Sequence, residues 1–162
     1  MHNLAFFVLW SNQLNLTFSQ LYFRRGVSWS NLEGQDWLRI KLPESDNGVL
    51  SCSVSCSGSV WVVDYQCSAL LRTGVCRDTP HGTGWLSVDN GPITSGIRQV
   101  SAGSSSVWAL DNTGSVFYRA GVSEERPQGL KWVHIPANMS HISVSHTNQV
   151  TNRQPLRRNL LI

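Results

Sequence analysis

Apolar and polar residues alternate over several short stretches of this chain. From residue 49 to 57, apolar or cysteine side chains interleave with serines, which is the period-two pattern of a half-buried β-strand. Residues 60–63 are apolar throughout, which predicts a strand buried on both faces. The pattern predicts an all-β protein with strands at 21–24, 37–42, 49–57, 60–63, 69–75, 85–88, 97–102, 107–110, 115–122, 132–136 and 141–146.

The predicted strands recur with a long, nearly constant period. Three arginines are each followed at the same distance by a tryptophan: Arg24 and Trp37, Arg72 and Trp85, Arg119 and Trp132. A glycine stands at the third position before each of these tryptophans: Gly34, Gly82 and Gly129. Trp61 and Trp108 also precede the arginine of their unit by one shared distance. The units therefore repeat with a period of about 47 residues, which is within the range of repeat proteins.

Four short strands per period, joined by tight turns, are the plan of a β-propeller blade. We predict about three four-stranded antiparallel blades in an open, incomplete propeller. The predicted units are 21–48, 49–96 and 97–138, with the start of a fourth at 139–147, an uncertain N-terminal segment at 1–20 and an irregular tail at 148–162. Trp10 is a candidate for an inner strand of the first unit, followed by an insertion in the next turn. Since closed propellers have roughly four to eight blades, we expect these 162 residues to be a fragment of a longer protein or to close with a second copy.

The repeated residues are predicted to be structural. Large indoles at Trp61 and Trp108 would fill the space between blades, each with an acceptor for its N–H, and the tryptophans that open the outer strands would close the blade edge. The arginines would tie strand to loop carbonyls, with Asp64 and Asp111 as partners, and the glycines after them would turn the chain with positive φ. The alternative for the tryptophans and arginines is a ligand-binding role. The predicted structural set is Trp61, Trp108, Asp64, Asp111, Arg24, Arg72, Arg119, Gly26, Gly74, Gly121, Gly34, Gly82, Gly129, Trp37, Trp85 and Trp132.

Candidate chemistry in the sequence is sparse. Four cysteines lie close together in the chain: Cys52, Cys56, Cys67 and Cys76. Their spacing is not that of the paired cysteines of a zinc site, and the other units have no cysteine at the equivalent positions. Free, mostly buried thiols are predicted, with a disulfide or a zinc site as alternatives. The histidines share no motif with a nucleophile, and no phosphate-binding glycine loop occurs. The sequence thus predicts no catalytic residues, no metal and no cofactor, and favours a protein that is not an enzyme.

Charge and hydropathy restrict the partners. A formal net charge of +3 with scattered basic residues gives no footprint for nucleic acid, and no apolar run reaches the length of a membrane span. The N-terminal apolar run has no preceding Lys or Arg and no cleavage site, so a signal peptide is not favoured. Two glycosylation sequons, at Asn15 and Asn138, matter only in a secreted chain.

The motif run V-W-x-x-D, R-x-G-V and P-x-G-x-x-W resembles the tectonin repeat, and its second half is especially similar to the tectonin β-propeller repeat-containing proteins. The first unit departs by having Leu32 where the others have Pro80 and Pro127. The resemblance implies a non-enzymatic scaffold for protein–protein interaction in autophagy and in lysosomal or secretory membrane traffic. It implies an intracellular location, in the cytoplasm or on autophagosomal or lysosomal membranes, with autophagy or trafficking factors as partners. Self-association through open propeller edges is expected from the incomplete propeller. The alternative is a secreted tectonin-type lectin that binds glycans or bacterial envelope sugars.

Overall fold

The computed structural model describes residues 7–10, 19–43 and 48–153. Thirteen strands lie in these ranges: β1 (Phe7–Trp10), β2 (Gln20–Arg24), β3 (Trp37–Ile40), β4 (Val49–Val54), β5 (Val60–Asp64), β6 (Ala69–Thr73), β7 (Gly84–Val88), β8 (Ile97–Ala102), β9 (Val107–Asp111), β10 (Ser115–Ala120), β11 (Lys131–Asn138), β12 (His141–Val144) and β13 (Val150–Arg153). Within these ranges, no helix has the length and apolar character that a bilayer crossing requires.

The strands form four antiparallel sheets, which we call blades 1 to 4. Blade 1 has the order β1-β2-β3, blade 2 β4-β5-β6-β7, blade 3 β8-β9-β10-β11 and blade 4 β12-β13. Each strand pairs with its neighbour in sequence, as in a propeller blade. The predicted all-β propeller architecture is confirmed, and the sheets form an arc that does not close within the described residues.

The hydrophobic core lies between blades. One cluster joins Phe23 of blade 1 to Val62 of blade 2, a second joins Trp61 of blade 2 to Phe117 of blade 3, and a third joins Leu110 of blade 3 to Ile142 of blade 4. Because side chains alternate across a strand, β5 sends successive residues into two different clusters. This explains why residues 60–63 are apolar at every position.

The first strands of successive blades are joined by side-chain hydrogen bonds. The hydroxyl of Ser53 accepts a hydrogen bond from the backbone N–H of Ala102 at 2.9 Å, and that of Ser101 accepts one from Val144 at 2.9 Å. The alternating serines of the sequence therefore have a specific role, since they satisfy backbone donors of the next blade that a sheet edge would leave unpaired.

The structure differs from the sequence prediction at both ends of the arc. The tail predicted to be irregular from residue 148 contains β13, because residues 150–153 pair antiparallel with β12. Phe7–Trp10 pairs with β2, which places a strand in the segment that the sequence left uncertain. The predicted insertion after Trp10, the sequon at Asn15, residues 44–47 of the first connector and residues 154–162 of the tail lie outside the described residues.

Candidate interaction surface

The constant spacing of arginine and tryptophan has a geometric cause. In blades 1 to 3, the arginine on the last but one strand stands directly opposite its tryptophan on the last strand, across three antiparallel pairs: Arg24 and Trp37, Arg72 and Trp85, Arg119 and Trp132. The guanidinium carbons lie 5.0, 4.8 and 5.1 Å from the ring centroids, within cation–π distance. We call these three couples the arginine–tryptophan pairs.

Each arginine also holds the loop that follows its strand. Its Nε donates to the backbone carbonyl of the residue just before the repeated glycine, that is Glu33, His81 or Gln128, at 2.7, 2.8 and 2.8 Å respectively. Burial lowers the pKa of Arg72 and of Arg119, and the carboxylate of Asp89 opposes this shift at Arg119. The loop between the last two strands is therefore held at the same point in blades 1, 2 and 3.

The repeated glycines permit this close approach. Gly82 has φ +68°, and a Cβ there would lie 2.7 Å from the carbonyl oxygen of Thr73. A side chain at this position would meet both backbone strain and a clash with backbone. Gly34 and Gly129 have the same kind of contact with the carbonyl oxygens of Arg25 and Ala120.

The aspartates do not pair with the arginines. Asp64 accepts a hydrogen bond from the backbone of Ser68 at 2.8 Å. Asp111 accepts one from the backbone of Thr113, one from that of Ser115 and one from the hydroxyl of Ser95. The expectation that aspartates are the arginines' partners is wrong, because these carboxylates close the turn between the second and third strands.

The pKa of Asp111 reflects two opposing causes. Burial raises it, but hydrogen bonds from Ser95, Thr113 and the backbone of the following turn more than compensate, and the net shift is downward. The native protein thus favours the charged carboxylate at this buried turn.

The tryptophans of the second and fourth strands behave differently. The indole of Trp85 donates to the carbonyl of Lys41 at 2.8 Å, and that of Trp132 to the carbonyl of Asp89 at 3.1 Å, so each ties its blade to the preceding one. Trp61 is fully buried, yet its N–H, like that of Trp108, has no acceptor among the described residues. The expected acceptor for these two indoles is absent from the described part of the chain. The structural role of the repeated residues as a set stays a prediction.

The loops between the last two strands of blades 1, 2 and 3, at 25–36, 74–83 and 121–130, lie at the same end of their blades. In an antiparallel four-stranded blade, the turn between strands one and two and the loop between strands three and four meet at the same end of the sheet. We call this the loop end. Aspartate turns such as the one at Asp111 lie at the opposite end.

The three long loops share one turn and differ in its chemistry. In each, the turn is closed by a backbone hydrogen bond from its first to its fourth residue: Ser28 to Asn31, Cys76 to Thr79, and Ser123 to Arg126. We call residues 28–31, 76–79 and 123–126 the tip turns. Their two central residues are Trp29 and Ser30, Arg77 and Asp78, and Glu124 and Glu125.

The first tip turn and the residue after it carry an exposed apolar pair that the sequence reasoning missed. Trp29 is 76% exposed and Leu32 is 68% exposed. The signal was present in the sequence, because Trp29 is the one tryptophan of the units that has no counterpart in the others, where Arg77 and Glu124 occupy its place. A tryptophan that the repeat does not require is a candidate for binding.

Three of the cavities that the described residues line lie at the loop end, between neighbouring blades. The first, of about 280 Å³, is lined by Phe23, Arg24, Pro80, His81 and their neighbours. The second, of about 320 Å³, occupies the equivalent place one blade further on, and the third, of about 350 Å³, lies beside it. Glu124 lines both the second and the third.

The four cysteines are free and do not act together. Burial raises the pKa of Cys52 to about 12, so this thiol stays neutral. Cys56 and Cys76 are exposed, which corrects the expectation of mostly buried thiols. Both lie in loop-end turns, where the scaffold imposes no burial. The prediction that the cysteines bind no metal is left as a prediction.

Comparison with known proteins supports a propeller. A family model, Hyd_WA, described as a propeller, matches residues 106–135, a stretch within blade 3. Among curated proteins, no significant match was found.

Among solved structures, YCF48 bound to a D1 peptide is 16% identical with a TM-score of 0.54, covering 85% of this chain and 42% of that one. A streptogramin B lyase is 13% identical with a TM-score of 0.51, covering 94% and 55%. Virginiamycin B lyase from Staphylococcus aureus is 12% identical with a TM-score of 0.51, covering 89% and 56%. The chain spans about half the length of these structures, and at this identity the likeness shows the fold alone.

These matches correct the prediction that the chain is not an enzyme. Two of the similar propellers are lyases, so the fold is compatible with catalysis. The prediction was wrong because it took the lack of a familiar motif as decisive, whereas catalytic groups on a propeller come from loops that the fold does not specify.

Proposed function

We propose that the loop end is a surface that binds other proteins, with the three tip turns as its main contacts. The observation that carries the proposal is that one turn geometry recurs in three blades while its central residues change from aromatic to mixed charge to acidic. In many proteins the binding residues lie on variable loops that a constant, rigid scaffold holds in place.

The exposed pair Trp29 and Leu32 supports a protein partner. A large aromatic side chain that is three quarters exposed lowers the solubility of a protein and is typical of interaction sites. Its turn is held by two backbone hydrogen bonds between Ser28 and Asn31, so the indole is presented on a pre-formed support. Little ordering would be required on binding.

The proposal is tested by affinity capture from cell lysate with a matched pair of variants. The double variant Trp29→Ser and Leu32→Ser removes the exposed tip, whereas Val133→Ser removes an exposed apolar side chain from the middle of β11. We expect the tip variant to reduce capture of specific proteins at least about tenfold, the size of a hot-spot loss, and the control to leave it unchanged. Equal capture by the wild type and both variants would contradict the proposal.

We further propose membership of the tectonin β-propeller repeat-containing proteins, with partners in autophagy and membrane traffic and an intracellular location. The motif run that these repeats share supports the family, and the exposed free thiols of Cys56 and Cys76 are typical of a reducing compartment. Recovery of the native protein from culture medium with a glycan on Asn138 would overturn the intracellular location. Glycan binding by a secreted form stays the alternative.

A further inference from the structure

The third cavity of the loop end, between blades 2 and 3, differs in composition from the other two. It is lined by the turn 55–59 of blade 2, by residues 103–105 of blade 3 and by residues 122–124 of the long loop. Its volume of about 350 Å³ is at the lower end of the range for binding pockets. Six serines contribute to its wall: Ser55, Ser57, Ser59, Ser104, Ser105 and Ser123. We call it the serine cavity.

The serine hydroxyls keep free hydrogen-bonding capacity. The hydroxyl of Ser55 interacts with that of Ser57, and those of Ser104 and Ser105 each accept a hydrogen bond from the amide of Asn148. The Ser55 oxygen also accepts a hydrogen bond from the backbone N–H of Ser59. Since a hydroxyl oxygen has two lone pairs, the oxygens of Ser104 and Ser105 can each accept a further hydrogen bond.

One charged residue lines the serine cavity. Glu124 is exposed, and it makes no hydrogen bond or ion pair with any other described residue. Its equivalent in blade 2 is Arg77, so the carboxylate is a property of this blade and not of the repeat. An unpaired carboxylate beside hydroxyl acceptors favours a cation and disfavours an anion.

Part of the cavity lining is apolar. Val107, Val122 and Trp61 form this part. The buried N–H of Trp61 has no acceptor among the described residues, and a buried donor without a partner is uncommon. The lining of the cavity thus combines one carboxylate, several hydroxyls and three apolar side chains.

We propose that the serine cavity receives a lysine side chain of a partner protein. The ammonium group would bind the Glu124 carboxylate and the serine hydroxyls, and the methylene stem would lie along Val107, Val122 and the indole of Trp61. Lysine suits the cavity better than arginine, because its three rotatable donors match acceptors that come from separate turns, whereas one carboxylate would leave much of a guanidinium unsatisfied. This inference rests on the proposed protein-binding function and assigns one contact of it.

The test is an NMR titration of the full chain with the capped tripeptide Gly-Lys-Gly, beside Gly-Arg-Gly and the uncharged Gly-Gln-Gly. We expect the lysine peptide to shift the indole N–H signal of Trp61 and the backbone amides of residues 55–59 and 103–106, with weaker effects from the arginine peptide and none from the glutamine peptide. A shift of equal size with glutamine would overturn the proposal, because no cation would then be recognised. Binding of methyl mannoside at the same amides, with no response to lysine, would overturn it in favour of a glycan site.

A matched pair of variants separates a specific contact from general attraction. Glu124→Gln should weaken lysine-peptide binding about tenfold, the loss of one charge-assisted hydrogen bond, whereas Glu125→Gln changes a neighbouring carboxylate that does not line the cavity and should change it less than about twofold. Equal losses in both would overturn the proposal. Unaltered thermal unfolding of Glu124→Gln shows that the effect is not a loss of fold.

The two proposals fail in different ways. If the Trp29 and Leu32 variant loses its captured proteins while no lysine peptide binds, the cavity proposal is wrong and the interaction surface remains. If the lysine peptide binds as described while capture is unaffected by the tip variant, the contact assigned to Trp29 and Leu32 is wrong and lysine binding by the cavity remains.

Discussion

Blades 1 and 3 carry the same arginine–tryptophan pair in very different surroundings. The ring and guanidinium are 5.0 Å apart in blade 1 and 5.1 Å apart in blade 3, so the local geometry is the same. Trp132 is nevertheless only 3% exposed, whereas Trp37 is 43% exposed. The motif therefore determines the pair, and the neighbouring blade determines how deeply the pair is buried.

The cause is visible in the contacts of Trp132. Its ring meets that of Trp61 edge-on at 6.2 Å, and its indole N–H reaches the carbonyl of Asp89 in blade 2. Trp37 has no such blade on the corresponding side among the described residues. Each repeat unit thus supplies one side of an interface. The stabilising free energy of that interface is gained only when two neighbouring units are in contact.

The largest expected effect is at the tryptophans themselves. Trp132→Ala should cost about 3–5 kcal/mol, because it removes a buried ring and leaves a cavity. Trp37→Ala should cost about 1 kcal/mol, since much of its ring already faces solvent. Urea unfolding followed by circular dichroism measures both. Equal losses would mean that the two rings are equally buried in solution, and the comparison between blades would fail.

The arginines should show the same order with smaller values. Arg119→Ala leaves the carbonyl of Gln128 without its donor in a buried place and should cost about 2 kcal/mol, whereas Arg24→Ala should cost about 1 kcal/mol or less. If Arg119 is structural, the folded fraction of the variant keeps its captured partners. A variant with unchanged unfolding but lost partner binding would instead assign Arg119 to recognition.

The buried turn of blade 3 adds a pH dependence. Because the folded-state pKa of Asp111 is lowered, its contribution to stability is present above the unfolded pKa of about 3.9 and is lost as the pH falls through the folded value. Asp111→Asn should therefore lower the free energy of unfolding near neutral pH by about 1 kcal/mol and reduce its decline in acid. An unchanged acid profile would show that other carboxylates dominate.

The smallest effect is expected at the tip turns. Glu124→Gln and Trp29→Ser alter exposed residues and should change the free energy of unfolding by less than about 0.5 kcal/mol. A decrease in the free energy of unfolding above about 1 kcal/mol would exceed the range for surface substitutions. It would show that the tip turns stabilise the fold, and the distinction between a constant scaffold and variable binding residues would fail.

Much of the fold was predictable because its signals are local and periodic. The spacing between Arg72 and Trp85 reflects the loop length that lets β7 pair antiparallel with β6, so that the two residues stand opposite each other. Hydrophobic alternation located β4, and a run of apolar residues located β5. The prediction failed at residues 150–153, where a strand carries Thr151 in place of the repeated tryptophan, so the motif was lost although the pairing was kept.

The candidate site was less predictable. The sequence indicated that binding lies on loops and aligns Trp29, Arg77 and Glu124. It did not indicate that the three positions lie on turns of the same geometry, which the shared hydrogen bonds of those turns show. It also assigned the aspartates to the wrong partners. Asp64 and Asp111 are near an arginine in the sequence motif, but each lies at the end of the blade away from the loop end. The turn that each carboxylate closes lies there.

By itself the sequence determined the unit: its four strands, its period, and the constant spacing of arginine and tryptophan, since these depend on residues close in the chain. Only the tertiary structure decided which face of each strand meets which neighbour, how far Trp37 and Trp132 differ in burial, and that turns from two different units enclose the serine cavity. The physical reason is that hydrogen bonds within a blade are local, whereas burial and cavities arise where two blades meet, and the residues on either side of that contact do not neighbour each other in sequence.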